Sequence, residues 1–184
     1  MEHVEAVKDR DQITLVSTLL LKHGSQLYQD IWNIGINVSL RISDLLAIKY
    51  TDLDMDKHIL KLKEQKTGKG KEVKLNAKVV DIIQRRRNDH PEDVYLFEGH
   101  SNRSKGKPVS RQMVARKFKE IGEIIGIQLS THSMRKTRGF VMYNDGKDIA
   151  LISKVLNHSS PAVTMRYLGI TREEVMDTYD QYQL

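Results

Sequence analysis

Six side chains with the chemistry of phosphoryl transfer are scattered along this sequence of 184 residues. Two guanidiniums can bind the non-bridging oxygens of a phosphate and place positive charge where negative charge develops in the transition state. A tyrosine hydroxyl can attack phosphorus and leave a covalent intermediate. A lysine can protonate the leaving oxygen, and a histidine can accept a proton. The residues that supply these groups are Arg41, Lys66, His132, Arg135, His158 and Tyr167.

Each of the six residues also has an ordinary structural interpretation when it is considered alone. Arg41 could pair with Asp44 or cap a helix, and His158 could favour the dipole at a helix C-terminus. Lys66 in a turn is expected to be solvated, and an isolated tyrosine such as Tyr167 more often packs in a core or an interface. No aspartate, glutamate and histidine residues stand at an evident metal spacing, so a two-metal nuclease fits less naturally. We expect chemistry without a metal or another cofactor.

The positive charge of the chain is concentrated in its middle, which favours a polyanionic partner. The net charge is +6, but residues 61–138 contain 20 lysines and arginines against 9 acidic residues, and the rest of the chain has a net charge of −5. A basic segment on a nearly neutral remainder is typical of nucleic-acid binding. A solubilising lysine-rich surface would give the same pattern.

The composition excludes several other classes of protein. The absence of cysteine excludes disulfides, thiolate metal sites and a cysteine nucleophile. No apolar run reaches the roughly 18 residues that a membrane span needs, and the N-terminus has no signal-peptide pattern. The hydrophobic fraction of 39% suits one compact domain with a substantial core. We expect a cytoplasmic protein.

Hydrophobic periodicity predicts a mainly α fold with one small antiparallel β-sheet (α+β). Apolar residues recur at spacings of three and four, and several helices begin at capping residues such as Asn76, Ser110 and Ser160-Pro161. Two alternating segments around a turn rich in glycine and lysine predict a basic hairpin. The predicted helices cover residues 12–23, 25–38, 41–48, 76–87, 110–125, 148–156 and 160–167, one more starts at Ser130 or Thr131, an acidic helix follows Thr171, and the hairpin strands cover residues 58–63 and 71–75.

Four motifs resemble, in their order, those of the tyrosine recombinase (phage integrase) family. The order Arg, Lys, His-x-x-Arg, His, Tyr is the order of that family, and the resemblance covers residues 10–175. The last block is the most specific, because a histidine is followed by a Ser-Ser-Pro cap and a helix that ends in tyrosine. The motifs are Leu40-Arg41-Ile42-Ser43-Asp44-Leu45-Leu46, Lys66-Thr67-Gly68-Lys69, Thr131-His132-Ser133-Met134-Arg135-Lys136-Thr137 and Leu156-Asn157-His158-Ser159-Ser160-Pro161-Ala162-Val163-Thr164-Met165-Arg166-Tyr167.

The resemblance implies the fold of a tyrosine recombinase catalytic domain and the activity of a site-specific DNA recombinase. Tyr167 would attack the scissile phosphate and form a 3′-phosphotyrosine, leaving a free 5′-hydroxyl. Arg41 and Arg135 would hold the phosphate, and Lys66 would protonate the leaving oxygen. Neither ATP nor a metal is required, because the covalent intermediate keeps the energy of the broken bond.

The resemblance also implies roles for the two histidines and for one aspartate. His132 would act as a base or as a hydrogen-bond partner toward Tyr167, and His158 would add a contact to the phosphate. Asp44, one helical turn from Arg41, would orient that arginine.

Four positions depart from the pattern of the family. Ser39 stands where glycine often precedes Leu-Arg, Lys136 stands where histidine is frequent, and Asn157 stands where glycine is usual. Gly139 lies inside a predicted helix and should weaken it by about 1 kcal/mol relative to alanine. None of these departures removes a reacting group.

Double-stranded DNA is the partner that the resemblance implies, and no membrane is involved. The chain would form a tetramer on DNA, would associate weakly or stay monomeric without it, and could work with accessory DNA-bending proteins. A bacterial, phage or mobile-element origin is expected. The basic residues expected at the DNA, some of them for base readout, are Lys69, Lys71, Arg103, Lys105, Lys107, Arg111, Arg116, Lys117, Lys119, Lys136 and Arg138.

The length of the chain predicts a single catalytic domain over residues 1–184, with its core at about 10–168. Most members of the family carry a further N-terminal helical domain that binds the core DNA site, and we expect it to be absent here. The chain would then be either a short member with only the catalytic domain or a fragment of a longer recombinase. Residues 170–184 would form a helical tail that either docks on a neighbouring protomer or packs on its own domain.

Three other functions remain open at this stage. A catalytically inactive DNA-binding accessory protein could share the fold, although the intact set of six groups argues against it. A type IB topoisomerase-like activity would use the same chemistry to relax one duplex. A basic RNA-binding module is disfavoured, because Trp32 and the phenylalanines lie mainly at apolar periodic positions and offer no stacking platform.

Overall fold

The computed structural model describes residues 6–101 and 104–170, together with residues 176, 177, 179 and 181. Helices dominate these residues, which also form one small antiparallel sheet, so the predicted fold class is confirmed. In chain order the elements are α1 (Arg10–His23), α2 (Gln26–Val38), α3 (Ile42–Leu46), a 3-10 turn (Tyr50–Asp52), β1 (Leu53–Asp54), β2 (Ile59–Lys63), β3 (Gly70–Lys74), α4 (Ala77–Asp89), α5 (Arg111–Ile125), α6 (Ser133–Asn144), α7 (Ile149–Val155) and α8 (Pro161–Leu168).

Two predicted helices differ from the observed ones. The helix expected from Ser130 or Thr131 begins at Ser133, with His132 in the N-cap position and no capping hydrogen bond from its side chain. The acidic helix expected after Thr171 falls largely outside the described residues, of which 176, 177, 179 and 181 are helical. Across the described parts of the chain, no helix combines the length and the apolar character needed to cross a bilayer.

Helix α2 lies at the centre of the core. Its residues Ile31, Trp32 and Ile34 are almost completely buried. The Trp32 indole meets the ring of Phe118 on α5 edge to face, with the ring centroids 5.8 Å apart. Because Trp32, Phe97 and Phe118 are all fully buried, these rings are not available for stacking on bases.

A buried ion-pair network joins α2 to α4. Asp30 on α2 accepts hydrogen bonds from Arg85 and, at 3.0 Å, from Arg86. The Nε atom of Arg86 donates to the carbonyl of Leu96 at 2.8 Å. The network therefore also fixes the segment around Leu96, whose backbone bonds to Ile48 just after α3.

The predicted hairpin is present and gains a third, short strand. The strand order is β1-β2-β3, all antiparallel, and Leu60 lies opposite Val73. Gly68 in the hairpin turn has a φ of +67°, a conformation that glycine adopts without strain. Strand β1 has only two residues, too few for an alternating pattern to be visible in the sequence.

Two glycines let α6 pack closely on its neighbours. A Cβ atom at Gly35 of α2 would overlap the side chain of Met134, and one at Gly139 would lie 3.1 Å from the side chains of Leu156 and Leu168. Gly139 therefore has a packing reason that outweighs its low helix propensity. Because Met134 precedes Arg135, the contact with Gly35 also determines where the Arg135 side chain begins.

Candidate active site

One open pocket, with a volume of about 370 Å³, is lined by all six residues that the sequence singles out. They come from the segment before α3, the hairpin turn, the beginning of α6, the turn between α7 and α8, and the end of α8. The side chains that line the pocket are Arg41, Lys66, His132, Arg135, His158 and Tyr167, together with Thr67, Asn157, Ser159 and Val163.

Arg41 is anchored at its backbone and at its tip. Its neighbours Leu40 and Ile42 are buried. Its Nη1 donates to Oε2 of Glu64 at 3.0 Å, and its side chain is only 20% exposed. The guanidinium is therefore ordered before any phosphate arrives.

The prediction that Asp44 orients Arg41 is wrong, because Glu64 is the carboxylate that bonds to Arg41. Oδ1 of Asp44 accepts a hydrogen bond from the backbone N–H of Gln65 at 2.9 Å, and its Oδ2 is buried without a partner. Asp44 thus secures the start of the hairpin turn, while Glu64, which directly follows β2, reaches Arg41. Sequence reasoning missed Glu64, since a carboxylate next to a lysine-rich turn is normally solvated.

Arg135 is a buried arginine held by backbone carbonyls. Its Nη1 donates to the carbonyl of Ser39 and its Nη2 to the carbonyl of Leu156. Ser39 ends α2 in the left-handed region, with a φ of +57°, which explains why glycine suits this position. Through these two bonds Arg135 joins the end of α2 to the end of α7.

Tyr167 lies beside both the guanidinium of Arg135 and the imidazole of His158. Its hydroxyl lies 3.5 Å from the carbonyl oxygen of His132, and its ring meets that of His158 edge to face at 4.9 Å. Burial raises the pKa of Tyr167, although the positive charge and hydrogen bond of Arg135 oppose this rise. The hydroxyl is therefore protonated at neutral pH and needs a proton acceptor before it can attack.

Both imidazoles of the pocket favour their neutral form. Desolvation and the charges of Arg135 and Arg41 lower the pKa of His158 to about 4. Its Nδ1 lies 2.9 Å from Oγ1 of the buried Thr164, which orients the ring. The pKa of His132 is also lowered, first by desolvation and then by nearby positive charges including Arg111.

Lys66 and Lys71 occupy different positions on the hairpin. Lys66 is exposed in the turn and lines the pocket. Lys71, which we expected to contact DNA, shares the inner face of β3 with Val73 and donates to the carbonyl of Val155 at 2.9 Å. Desolvation and the charge of Arg135 lower the pKa of Lys71. Its ammonium therefore points into the protein rather than toward an external duplex.

The other predicted DNA contacts fall into two groups, apart from Arg103, which lies outside the described residues. Three are engaged or partly enclosed: Lys117 donates to the carbonyl of His23, Lys136 lies 5.3 Å from the centre of the Tyr167 ring, and Nε of Arg138 is buried. The remaining residues are exposed to solvent, namely Lys69, Lys105, Lys107, Arg111, Arg116 and Lys119.

A cluster of possible metal ligands that the sequence did not predict lies outside this pocket. One ligand atom each from His90, Asp93 and His100 lies within 4.8 Å of the others. The His100 Nε2 is already 2.9 Å from Asp93, and the two imidazoles stack with centroids 3.8 Å apart and planes 31° apart. Because the lone pairs of nitrogen lie in the ring planes, stacked rings do not aim them at a single point.

Comparison with known proteins agrees with the motifs. Residues 19–174 match the model of the phage integrase family. YoeC of Bacillus subtilis (strain 168), a probable integrase/recombinase, is 34% identical over 180 residues that cover 97% of each chain. The tyrosine recombinase XerA of Pyrococcus furiosus is 29% identical over 149 residues, which are 79% of this chain and 51% of XerA.

Solved structures show the same fold. A crystal structure of XerA recombinase has a TM-score of 0.73 at 20% identity and covers 100% of this chain and 66% of its own. The integrase of transposon Tn1549, in complex with a circular intermediate DNA, has a TM-score of 0.76 at 17% identity and covers 99% of this chain and 67% of its own. The fold is thus that of a tyrosine recombinase catalytic domain.

The chain belongs to the phage integrase family, as its motifs indicated. It spans almost the whole length of YoeC but about half the length of XerA.

Proposed function

We propose that this protein is a site-specific DNA recombinase that cuts and rejoins strands through a covalent 3′-phosphotyrosine at Tyr167, without a metal or ATP. The observation that carries the proposal is the shared pocket of Arg41, Lys66, His132, Arg135, His158 and Tyr167. Each group that phosphodiester exchange requires faces the same cavity.

The reaction begins when the scissile phosphate enters between the two arginines. The Tyr167 oxygen forms a bond to phosphorus as the bond to the 5′ oxygen breaks. The hydroxyl proton passes to a neutral imidazole, for which His132 is the candidate, and Lys66 supplies a proton to the departing 5′ oxygen. The guanidiniums of Arg41 and Arg135 offset the charge that develops on the non-bridging oxygens.

Rejoining reverses these steps with a new strand. A 5′-hydroxyl from a partner duplex attacks the phosphotyrosine, and Tyr167 regains its proton as it leaves. The phosphodiester energy stays in the covalent link throughout. If the original strand returned after rotating about the intact strand, the same chemical steps would relax supercoils, so two synapsed duplexes distinguish recombination from relaxation.

Double-stranded DNA is the proposed partner, bound by a homo-oligomer on the DNA. The exposed basic residues of the hairpin turn, the loop before α5 and α5 itself support this choice. The related Tn1549 integrase is seen in complex with DNA.

Trapping of the covalent intermediate tests the proposal. Nicked duplexes from a randomised pool let the short 5′-hydroxyl fragment diffuse away after cleavage, so the protein stays attached to the DNA. We expect denaturation-resistant adducts with the wild-type chain and none with Tyr167→Phe.

The matched control is Tyr143→Phe, which removes the same hydroxyl from an exposed position on α6. This variant should form adducts at the wild-type level. Adducts that persist in Tyr167→Phe would mean that another residue is the nucleophile.

A further inference from the structure

Glu64 is a buried carboxylate that receives three side-chain hydrogen bonds on one oxygen. It is 1% exposed. Its Oε2 accepts from Nη1 of Arg41 at 3.0 Å, from Oγ1 of Thr67 at 2.8 Å, and from Nδ2 of Asn157. Burial alone would raise the pKa of Glu64, but these hydrogen bonds and the charge of Arg41 hold it below its usual value. The group is therefore an anion at neutral pH.

Each of the three donors adjoins or supplies a group of the pocket. Arg41 lines the pocket itself, Thr67 follows Lys66 in the chain, and Asn157 precedes His158. The contacts with Arg41 and Asn157 cross 23 and 93 residues of sequence. One oxygen atom thus connects the segment before α3, the hairpin turn and the turn between α7 and α8.

Both the backbone conformation and the side chain of Asn157 suit its contact with Glu64. Its φ is +50°, in the left-handed region that asparagine tolerates better than most residues. Its side chain then reaches Glu64. A glycine at position 157 would allow the same backbone conformation but has no side-chain amide to donate to Glu64.

The contact with Glu64 leaves Arg41 able to bind a phosphate. Among the described residues, the guanidinium of Arg41 is hydrogen-bonded through Nη1 alone. Arginine has five N–H donors, so four stay available while the plane of the group is fixed. A fixed donor loses less entropy when it binds the phosphate and stays aligned in the transition state.

We propose that Glu64 is a positioning residue for strand cleavage, which holds Arg41 and the turns that carry Lys66 and His158 in their reactive arrangement. This inference rests on the proposed function. Glu64 does not touch the DNA; it acts through the three donors. Its loss should therefore slow the covalent step much more than it weakens DNA binding.

The test compares Glu64→Gln with Glu72→Gln in the full chain. Glu72 lies on the same hairpin but is exposed and pairs with the exposed Lys61, so its substitution should leave cleavage unchanged. The substrate is the duplex that the wild-type chain captures from the nicked pool. Adduct formation by Glu64→Gln should fall roughly 100-fold, the loss that a small misplacement of reacting groups causes, while the DNA dissociation constant changes less than about threefold.

Coupling to Arg41 separates positioning from a general loss of stability. Because Arg41 is the donor that would bind the phosphate, the double variant Arg41→Ala/Glu64→Gln should lose much less than the product of the two single losses, since the partner is already missing. Fully multiplicative losses would overturn the inference, as would a wild-type rate in a folded Glu64→Gln.

If Glu64→Gln fails to fold, a second variant tests the same inference. Asn157→Gly keeps the carboxylate, the Arg41 pair and the left-handed backbone and removes one donor, so it should slow adduct formation severalfold without loss of DNA affinity. An unchanged rate in this variant would then contradict the inference. A wild-type chain that forms no adduct would instead remove the proposed function, and this inference with it.

Discussion

The buried pair of Asp30 and Arg86 allows a stability prediction with a magnitude. Asp30→Asn keeps the size of the side chain but removes the counter-charge of Arg86, whose side chain is 6% exposed. Breaking a buried pair by removing one partner typically costs 3–5 kcal/mol. Arg86 keeps its bond to the carbonyl of Leu96, so we expect a loss near the lower limit, about 3 kcal/mol.

The control for this prediction is Asp89→Asn. Asp89 pairs with Arg85 at 3.7 Å, and both side chains are well exposed. Exposed pairs contribute roughly 0–1 kcal/mol. The two variants therefore make the same chemical change and differ in burial.

Urea denaturation followed by tryptophan fluorescence measures both variants. The chain has a single tryptophan, and Trp32 is buried two residues from Asp30 on α2. A loss of 3 kcal/mol corresponds to a melting temperature lower by roughly 6–12 °C. A loss under about 1 kcal/mol for Asp30→Asn, or equal losses in both variants, would refute the view that this network holds α2, α4 and the Leu96 segment together.

Two further predictions concern the pocket and its border. The pKa of His158 is lowered from an ordinary value near 6.5 to about 4 in the folded state. Between these two values the imidazole is protonated in the unfolded chain but not in the folded one. The free energy of unfolding is therefore highest above pH 6.5 and falls as the pH drops toward 4. His158→Gln should flatten the acid side of a stability profile measured by urea denaturation, and an identical profile would contradict the assigned environment. Ser39→Gly should raise the free energy of unfolding by about 1 kcal/mol, because Ser39 has a φ of +57° and a buried hydroxyl without a partner. A lower free energy of unfolding for Ser39→Gly would show instead that the serine hydroxyl stabilises the fold.

Capping residues, hydrophobic periodicity and the order of the motifs were enough to predict most of the fold and the six main residues of the pocket. Caps such as Asn76, Ser110 and Ser160 receive the backbone N–H bonds that their types suggest. The order of the motifs predicted which six side chains would meet. These features depend on residues close together in sequence or on a pattern common to a family.

The features that the sequence did not reveal depend on tertiary contacts. The partners of Glu64, Asp44 and Lys71 lie 23, 21 and 84 residues away along the chain. Nothing in the neighbours of these three residues in the sequence indicates such contacts. The stacked His90 and His100 rings likewise meet only because a turn brings them together.

Identification of the residue that bears the DNA tests the central claim most directly. The wild-type adduct is digested with nuclease and protease. Mass spectrometry should then find a nucleotide joined through its 3′ phosphate to the peptide that contains Tyr167, and fragmentation of that peptide should place the nucleotide on the tyrosine. The same fragment attached to another residue, or a DNA end that carries the protein through its 5′ phosphate, would contradict the account.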